Sequence, residues 1–182
     1  EIISNYLISR QKNSHRGQNS VSSLRDPRPL VEHLRMLKSD NEIEALKKAI
    51  HITEQGFQVA QNLTKPELYE FEIQAALEGE FRRLGSSRNG YPSIVASGNN
   101  SCTLHYTTNR EQLKDGDLLL IDAGAEYDYY TADITRTWPI NGHFSTPQRY
   151  IYDVVLEAQQ TGIELAKPGA TLEDIHHATL EV

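Results

Sequence analysis

From Leu34 onward, apolar stripes and turn signals follow one another in a regular way. Ser39-Asp40-Asn41-Glu42 is a capping-box sequence, in which hydroxyl and carboxylate satisfy the free N–H groups of a starting helix. It opens a helix whose apolar residues Ile43, Leu46, Ile50 and Phe57 fall on one face at helical spacing. Thr64-Lys65-Pro66-Glu67 predicts a second helix start, with proline in the first turn, where its missing N–H does no harm. Ile73, Leu77, Phe81 and Leu84 form the buried stripe of that helix, and Gly85 is placed to end it.

The period then changes. Four strands are expected, over Tyr91–Ser97, Cys102–Tyr106, Asp117–Ala123 and Tyr129–Thr137, separated by Gly98-Asn99-Asn100, Asp115-Gly116 and Gly124. After Asn141-Gly142, Ser145-Thr146-Pro147-Gln148 starts a third helix lined on one side by Ile151, Val154, Val155, Ala158, Gly162 and Leu165. Lys167-Pro168-Gly169 stops it, and Thr171 caps a fourth helix carrying Leu172, Ile175 and Thr179. Sequential strands joined by short turns imply an antiparallel sheet with helices on one face, an α+β fold.

Residues 1–29 differ from the rest. Ile2 to Ile8 reads as a strand, Ser9 to Ser23 is polar, and Asp26-Pro27-Arg28-Pro29 punctuates the chain. This stretch is expected to be the tail of an upstream domain plus a linker, with the folded domain over 30–182.

Composition narrows the function. The net charge of −7 argues against general affinity for nucleic acid. The longest clean apolar run, Leu118 to Ile121, is far too short to span a bilayer. The single Cys102 excludes an intrachain disulfide and a cysteine zinc site, so a reducing, cytoplasmic location is expected. No secretory leader opens the chain, although it begins at Glu1 rather than at methionine.

The chemistry concentrates in two segments. Leu118 to Ile121 reads as a strand buried on both faces that runs into Asp122, and a second strand carries Asp133 between Ala132 and Ile134. A hairpin centred between Tyr127 and Asp128 makes Asp122 and Asp133 direct cross-strand partners, with Cβ atoms about 4.5–5.5 Å apart. Like charges so placed need a cation between them, or one must hold a proton. Arg136 is three residues from Asp133 and falls on the opposite face of a strand. A bridging divalent ion is the better solution, and oxygen ligands suit Mn, Mg or Ca. Spacing alone leaves open the plainer reading of turn caps and surface charges. His105 and Tyr91, taken by themselves, read as a surface histidine and a packing aromatic. Glu126, Tyr127 and Asp128 fall at the hairpin tip and read as solvated, and no chemistry is assigned to His143, His176 or His177.

Three stretches in this order resemble the aminopeptidase P and prolidase family. They are Tyr91 to Tyr106, Leu119 to Tyr127, and Ala132 to Gly142; Arg28-Pro29 through Ser39 resembles that family's linker into its catalytic domain. The resemblance implies the pita-bread fold, an α+β domain of two similar halves. It implies a metal-dependent aminopeptidase that removes the N-terminal residue from peptides with proline in second position, through a hydroxide bridging two metals, usually manganese. By the match, Asp122 would bind one metal with both oxygens and Asp133 would bridge both. His105 would stand beside the metals and assist the reaction, and Tyr91 would support the metal-bound carboxylates.

The family's remaining ligands, a histidine and two glutamates, belong to the second half of the pita-bread. The resemblance therefore implies that 30–182 is the first half only, with those ligands outside this chain, and that the chain alone is inactive and exposes an apolar face. Relatives are often dimers or tetramers, so self-association is expected. Two alternatives share the resemblance: a prolidase acting on Xaa-Pro dipeptides, and a non-catalytic pita-bread module that binds peptides. Retention of Asp122, Asp133 and His105 favours the enzyme.

Overall fold

The structure is a computed structural model that describes residues 2–12 and 25–182. It contains two compact units, Glu1–Asn41 and Glu42–Val182. The first holds α1 (Ile2–Lys12) and α2 (Arg28–Met36). The expected strand at Ile2–Ile8 is instead part of a helix, on which Ile2, Ile3, Tyr6 and Ile8 are exposed. Pro29 lies in the first turn of α2, so the proline pair that reads as punctuation starts a helix. Most of the polar run from Ser9 to Ser23 lies outside the described residues.

A long helix, α3 (Asp40–Leu63), begins directly after Ser39, as the capping sequence predicts, and most of it belongs to the second unit. The buried face differs from the expected stripe. Ile43 and Ile50 are exposed, whereas Ala45, Ala49, Ile52, Thr53, Gly56, Phe57 and Ala60 face inward. Small residues win because α4 (Glu70–Arg83) packs close: a Cβ on Gly56 would lie 2.4 Å from the Phe81 ring. The stripe Ile73, Leu77 and Phe81 is fully buried, as expected.

α4 starts later than Thr64-Lys65-Pro66-Glu67 implies. Residues 67–70 instead join the chain around Leu113: Glu67 N–H donates to the Leu113 carbonyl at 2.9 Å and Leu113 N–H to the Leu68 carbonyl at 2.7 Å. These bonds carry the chain through a turn at Glu67, whose φ is 74°, to the start of α4, where the Glu72 carboxylate accepts from the Tyr69 N–H and closes the helix end.

The sheet is antiparallel in the order β1 (Ile94–Ser97), β2 (Leu118–Ala123), β5 (Ile134–Pro139). Leu119, Ile121 and Ala123 point into a core shared with Ile52, Phe57, Ala60, Leu77, Phe81 and Trp138. Leu118, Leu120 and Asp122 alternate to the other face and are only half-buried, so β2 is not buried on both faces as its apolar run suggests. A two-stranded ribbon, β3 (Glu126–Tyr127) and β4 (Tyr130–Thr131), extends from the sheet.

The expected strand Cys102–Tyr106 does not form. Gly98–Cys102 is a 3₁₀ turn, and the chain reverses through His105, whose φ of 55° no strand accommodates. Ser145 caps α5 (Thr146–Leu165) and Thr171 caps α6 (Leu172–Leu180), each within a capping box. Both helices pack mainly on each other, and Ile151, Val155 and Leu165 of the predicted α5 stripe stay exposed. No described helix is long and apolar enough to cross a membrane.

Candidate metal centre

The register of one hairpin sets the site. Its turn residues are Asp128 and Tyr129, both left-handed with φ of 50° and 67°, the geometry of a tight two-residue turn that matches sheet twist. The turn is thus centred one residue later than the sequence reading places it. Every pairing shifts by two residues, and Asp122 lies opposite Thr135 rather than Asp133. Parity is preserved, so Asp133 remains on the same face as Asp122, one diagonal step away, a spacing of about 7–8 Å on a regular sheet. Arg136 pairs with Ile121 on the opposite face, as expected, and its guanidinium donates to the Thr135 carbonyl.

Gly124 lets the two strands meet above the aspartates. A Cβ there would stand 1.7 Å from the Ala132 carbonyl oxygen. Ala132 N–H donates to the Ala125 carbonyl at 3.1 Å, which carries the pairing through this narrow point to the ribbon.

Tyr91 enters from the segment before β1. Its hydroxyl donates to Asp122 Oδ1 at 2.6 Å and lies 3.0 Å from Asp133 Oδ1. One proton serves two carboxylates, so each retains acceptor capacity directed elsewhere. Burial, then the two hydrogen bonds and the adjacent negative charges, push the Tyr91 hydroxyl far above the ordinary tyrosine range. It stays protonated and acts as a donor.

Among the described residues neither aspartate has a lysine, arginine or histidine partner. Two carboxylates gathered on one neutral hydroxyl lack compensating charge, which an oxygen-preferring divalent cation would supply. The donor set fits such an ion but is incomplete, because no group of three metal-binding side chains occurs among the described residues.

His105 is exposed on the loop after β1. That loop leaves the sheet at Ser97, turns at His105 and returns to Asn109, which is buried against β1. Asn109 Oδ1 accepts from the Val95 N–H at 3.0 Å, and Asn109 Nδ2 donates to the Ser93 carbonyl at 2.8 Å. Ile94, between those two residues, is the cross-strand partner of Asp122.

Two buried carboxylates escape the sequence reading. Glu126, expected to be solvated, is 5% exposed: it accepts from Arg88 at 2.7 Å, Ser87 at 3.2 Å and the Tyr129 N–H at 2.6 Å. Those donors hold its carboxyl below the usual glutamate range and pin the turn that sets the register. Glu70 is wholly buried. The signal for it lies in the stripe itself, since Glu70 continues the line Ile73, Leu77, Phe81 backward by one turn.

A cleft of about 830 Å³ opens beside β5, lined by Glu54, Phe57, Arg136, Trp138 and Phe144 among others. Asp122, Asp133 and Tyr91 do not line it.

An antiparallel sheet backed by helices, with two aspartates on one face, is an α+β fold of the pita-bread type. Residues 44–182 match metallopeptidase family M24, and the chain belongs to that family. It is 45% identical over 163 residues to the Xaa-Pro aminopeptidase of Haemophilus influenzae, covering 90% of this chain and 38% of that protein. Against the Xaa-Pro aminopeptidase of Escherichia coli K12 it is 40% identical over 174 residues, covering 96% and 40%. A substrate complex of a glutamate-to-alanine variant of Escherichia coli aminopeptidase P superposes with a TM-score of 0.93 at 38% identity, over 98% of this chain and 41% of that one. The chain therefore spans about two-fifths of the length of these relatives.

Proposed function

We propose that this chain supplies one side of the metal site of a cytoplasmic Xaa-Pro aminopeptidase, which removes the residue preceding proline from peptide N-termini. The observation that carries this reading is the convergence of Asp122 and Asp133 on the Tyr91 hydroxyl, with no cationic partner among the described residues. Kinship with Xaa-Pro aminopeptidases supports the choice of substrate.

Asp122 and Asp133 would hold the divalent ions, with manganese the preferred metal. A pair of such ions, when bound, activates water and polarises the scissile carbonyl. The remaining work belongs to side chains. The two aspartates neutralise charge and fix the metal positions. Tyr91 orients Asp122 and Asp133 through its hydroxyl, as outer hydrogen-bond partners of metal ligands generally do. His105, exposed on its loop, donates a hydrogen bond to the substrate and to the charge that develops on its carbonyl oxygen. A histidine and two glutamates from the rest of the protein complete the ligand set. The protein binds peptides with proline in second position and self-associates.

The test is manganese-dependent release of the first residue from an Xaa-Pro tripeptide by the intact protein. Release from the tripeptide supports an aminopeptidase. Cleavage confined to Xaa-Pro dipeptides would make the protein a prolidase. No cleavage of either by metal-loaded protein would sink the catalytic reading and leave a peptide-binding module.

A further inference from the structure

Glu70 is the first residue of α4, and its side chain is fully buried. Both of its oxygens are engaged. Oε1 accepts from the Ser97 N–H at 2.8 Å, the Ser97 hydroxyl at 2.8 Å and Asn100 Nδ2 at 3.1 Å. Oε2 accepts from the Tyr106 hydroxyl at 2.8 Å and the Glu111 N–H at 3.0 Å. Asn100 Nδ2 also donates to the Tyr106 hydroxyl at 3.0 Å, closing a ring of bonds around the carboxylate.

The origin of these donors is informative. Ser97 and Asn100 precede His105, Tyr106 follows it directly, and Glu111 lies where the chain rejoins α4. The segment between has no apolar anchor of its own: Cys102, Thr103, Leu104 and His105 are exposed, Leu104 to 86%. Its internal bonds are local, from Ser101 to the Gly98 carbonyl and from the Thr103 N–H to the Asn100 carbonyl. Glu70 ties both flanks of the His105 turn to α4, and further along the loop Asn109 Nδ2 donates to Gln74 Oε1 of the same helix at 3.0 Å.

Only an ionised carboxylate can serve this role. It presents acceptors alone, and every group facing it here can donate. An amide would set N–H against N–H at one of the two oxygens and leave a buried donor unpaired. Burial by itself raises the Glu70 carboxyl, but the donations from Ser97, Asn100 and Glu111 outweigh it, and the group lies below the usual glutamate range.

We propose that Glu70 is a positioning residue for the reaction: its buried carboxylate fixes the loop that aims His105. This rests on the reading of His105 as a group that acts beside the metals. Glu70 itself touches neither metal nor substrate. The apolar part of α4 is independent of it, since Ile73, Leu77 and Phe81 form their contacts in the core.

The experiment compares wild type, Glu70→Gln, His105→Ala and the double variant in the intact, manganese-loaded protein. Four quantities are read: kcat and KM on an Xaa-Pro tripeptide, bound manganese, and amide exchange over residues 98–106. Glu70→Gln is expected to lower kcat by up to about 10²-fold, the scale of a misplacement of roughly 1 Å, with KM and bound manganese little changed. Exchange over 98–106 should accelerate while that of α3 and the core of α4 stays slow. In the His105→Ala background the same substitution should cost little more. An undiminished loss in that background, or unchanged exchange at 98–106, overturns the proposal. Should Glu70→Gln fail to fold, Tyr106→Phe removes one bond of the ring and is expected to loosen the same segment; unchanged exchange there overturns the proposal too. If wild type cleaves no peptide, the proposed function fails separately, and the exchange data alone decide whether Glu70 sets the loop.

Discussion

Asp122 lies directly across the sheet from Thr135, and Asp133 therefore stands one diagonal step from Asp122. That offset separates two charges that direct pairing would press together. It also leaves a space that the Tyr91 hydroxyl reaches from outside the hairpin. The site is a consequence of register, and register follows from a turn at Asp128-Tyr129 that Glu126 holds from within.

Tyr91→Phe removes one hydroxyl and keeps the ring. In the intact protein it is expected to weaken manganese binding by about 10–100-fold, the usual effect of losing a hydrogen bond to a metal ligand. Isothermal calorimetry measures this directly. Unchanged affinity would mean that the two aspartates are oriented without Tyr91.

Asp133→Asn tests charge against shape. Without metal, the variant should be as stable as wild type or more so, because one of two neighbouring negative charges is gone. With manganese, wild type should gain thermal stability with concentration, as any protein does on binding a ligand in its native state. The variant should not. A manganese-dependent rise in Tm of equal size in both would remove Asp133 from the ligand set.

Two glycines separate the site from the core. Gly124→Ala places a methyl 1.7 Å from the Ala132 carbonyl, a backbone atom that cannot yield without moving a strand. A loss of at least about 1–3 kcal/mol is expected, together with loss of metal binding, because Asp133 is the next residue after Ala132. Gly56→Ala presses on the Phe81 ring at 2.4 Å and should cost a similar amount in stability. The metal affinity of its folded fraction should persist. Denaturant titration paired with calorimetry distinguishes the two.

Glu70 makes an acid-side prediction. Its folded-state carboxyl lies below its ordinary value, so the unfolded chain binds the proton more readily. The resulting stability is complete above the unfolded glutamate pKa of about 4.3 and is lost as pH falls through the lower folded value. Between pH 6 and 3 the Tm of wild type should therefore fall more steeply than that of Glu70→Gln. Parallel curves would show that Glu70 contributes nothing to acid sensitivity.

Much of the fold is local in origin and could be read from the chain. The capping sequences at Ser145 and Thr171 and the stripe Ile73, Leu77, Phe81 each depend on neighbours within a turn or two, and each forms where its residues predict. Asp122 and Asp133 stand out in the sequence because one follows an apolar run and both lie within quotable motifs. What lay beyond the sequence depends on distant partners. Small residues displaced the apolar stripe of α3 because Phe81, 25 residues from Gly56, needed the room. The strand expected at His105 gave way to a turn because Glu70, 35 residues earlier, gathers the donors on either side. The hairpin register turned on one residue, since a tight turn needs two left-handed positions and the sequence offers more than one pair. Periodicity records which side a residue faces; the tertiary structure alone decides which residue stands opposite, because that choice is made by contacts between segments far apart in the chain.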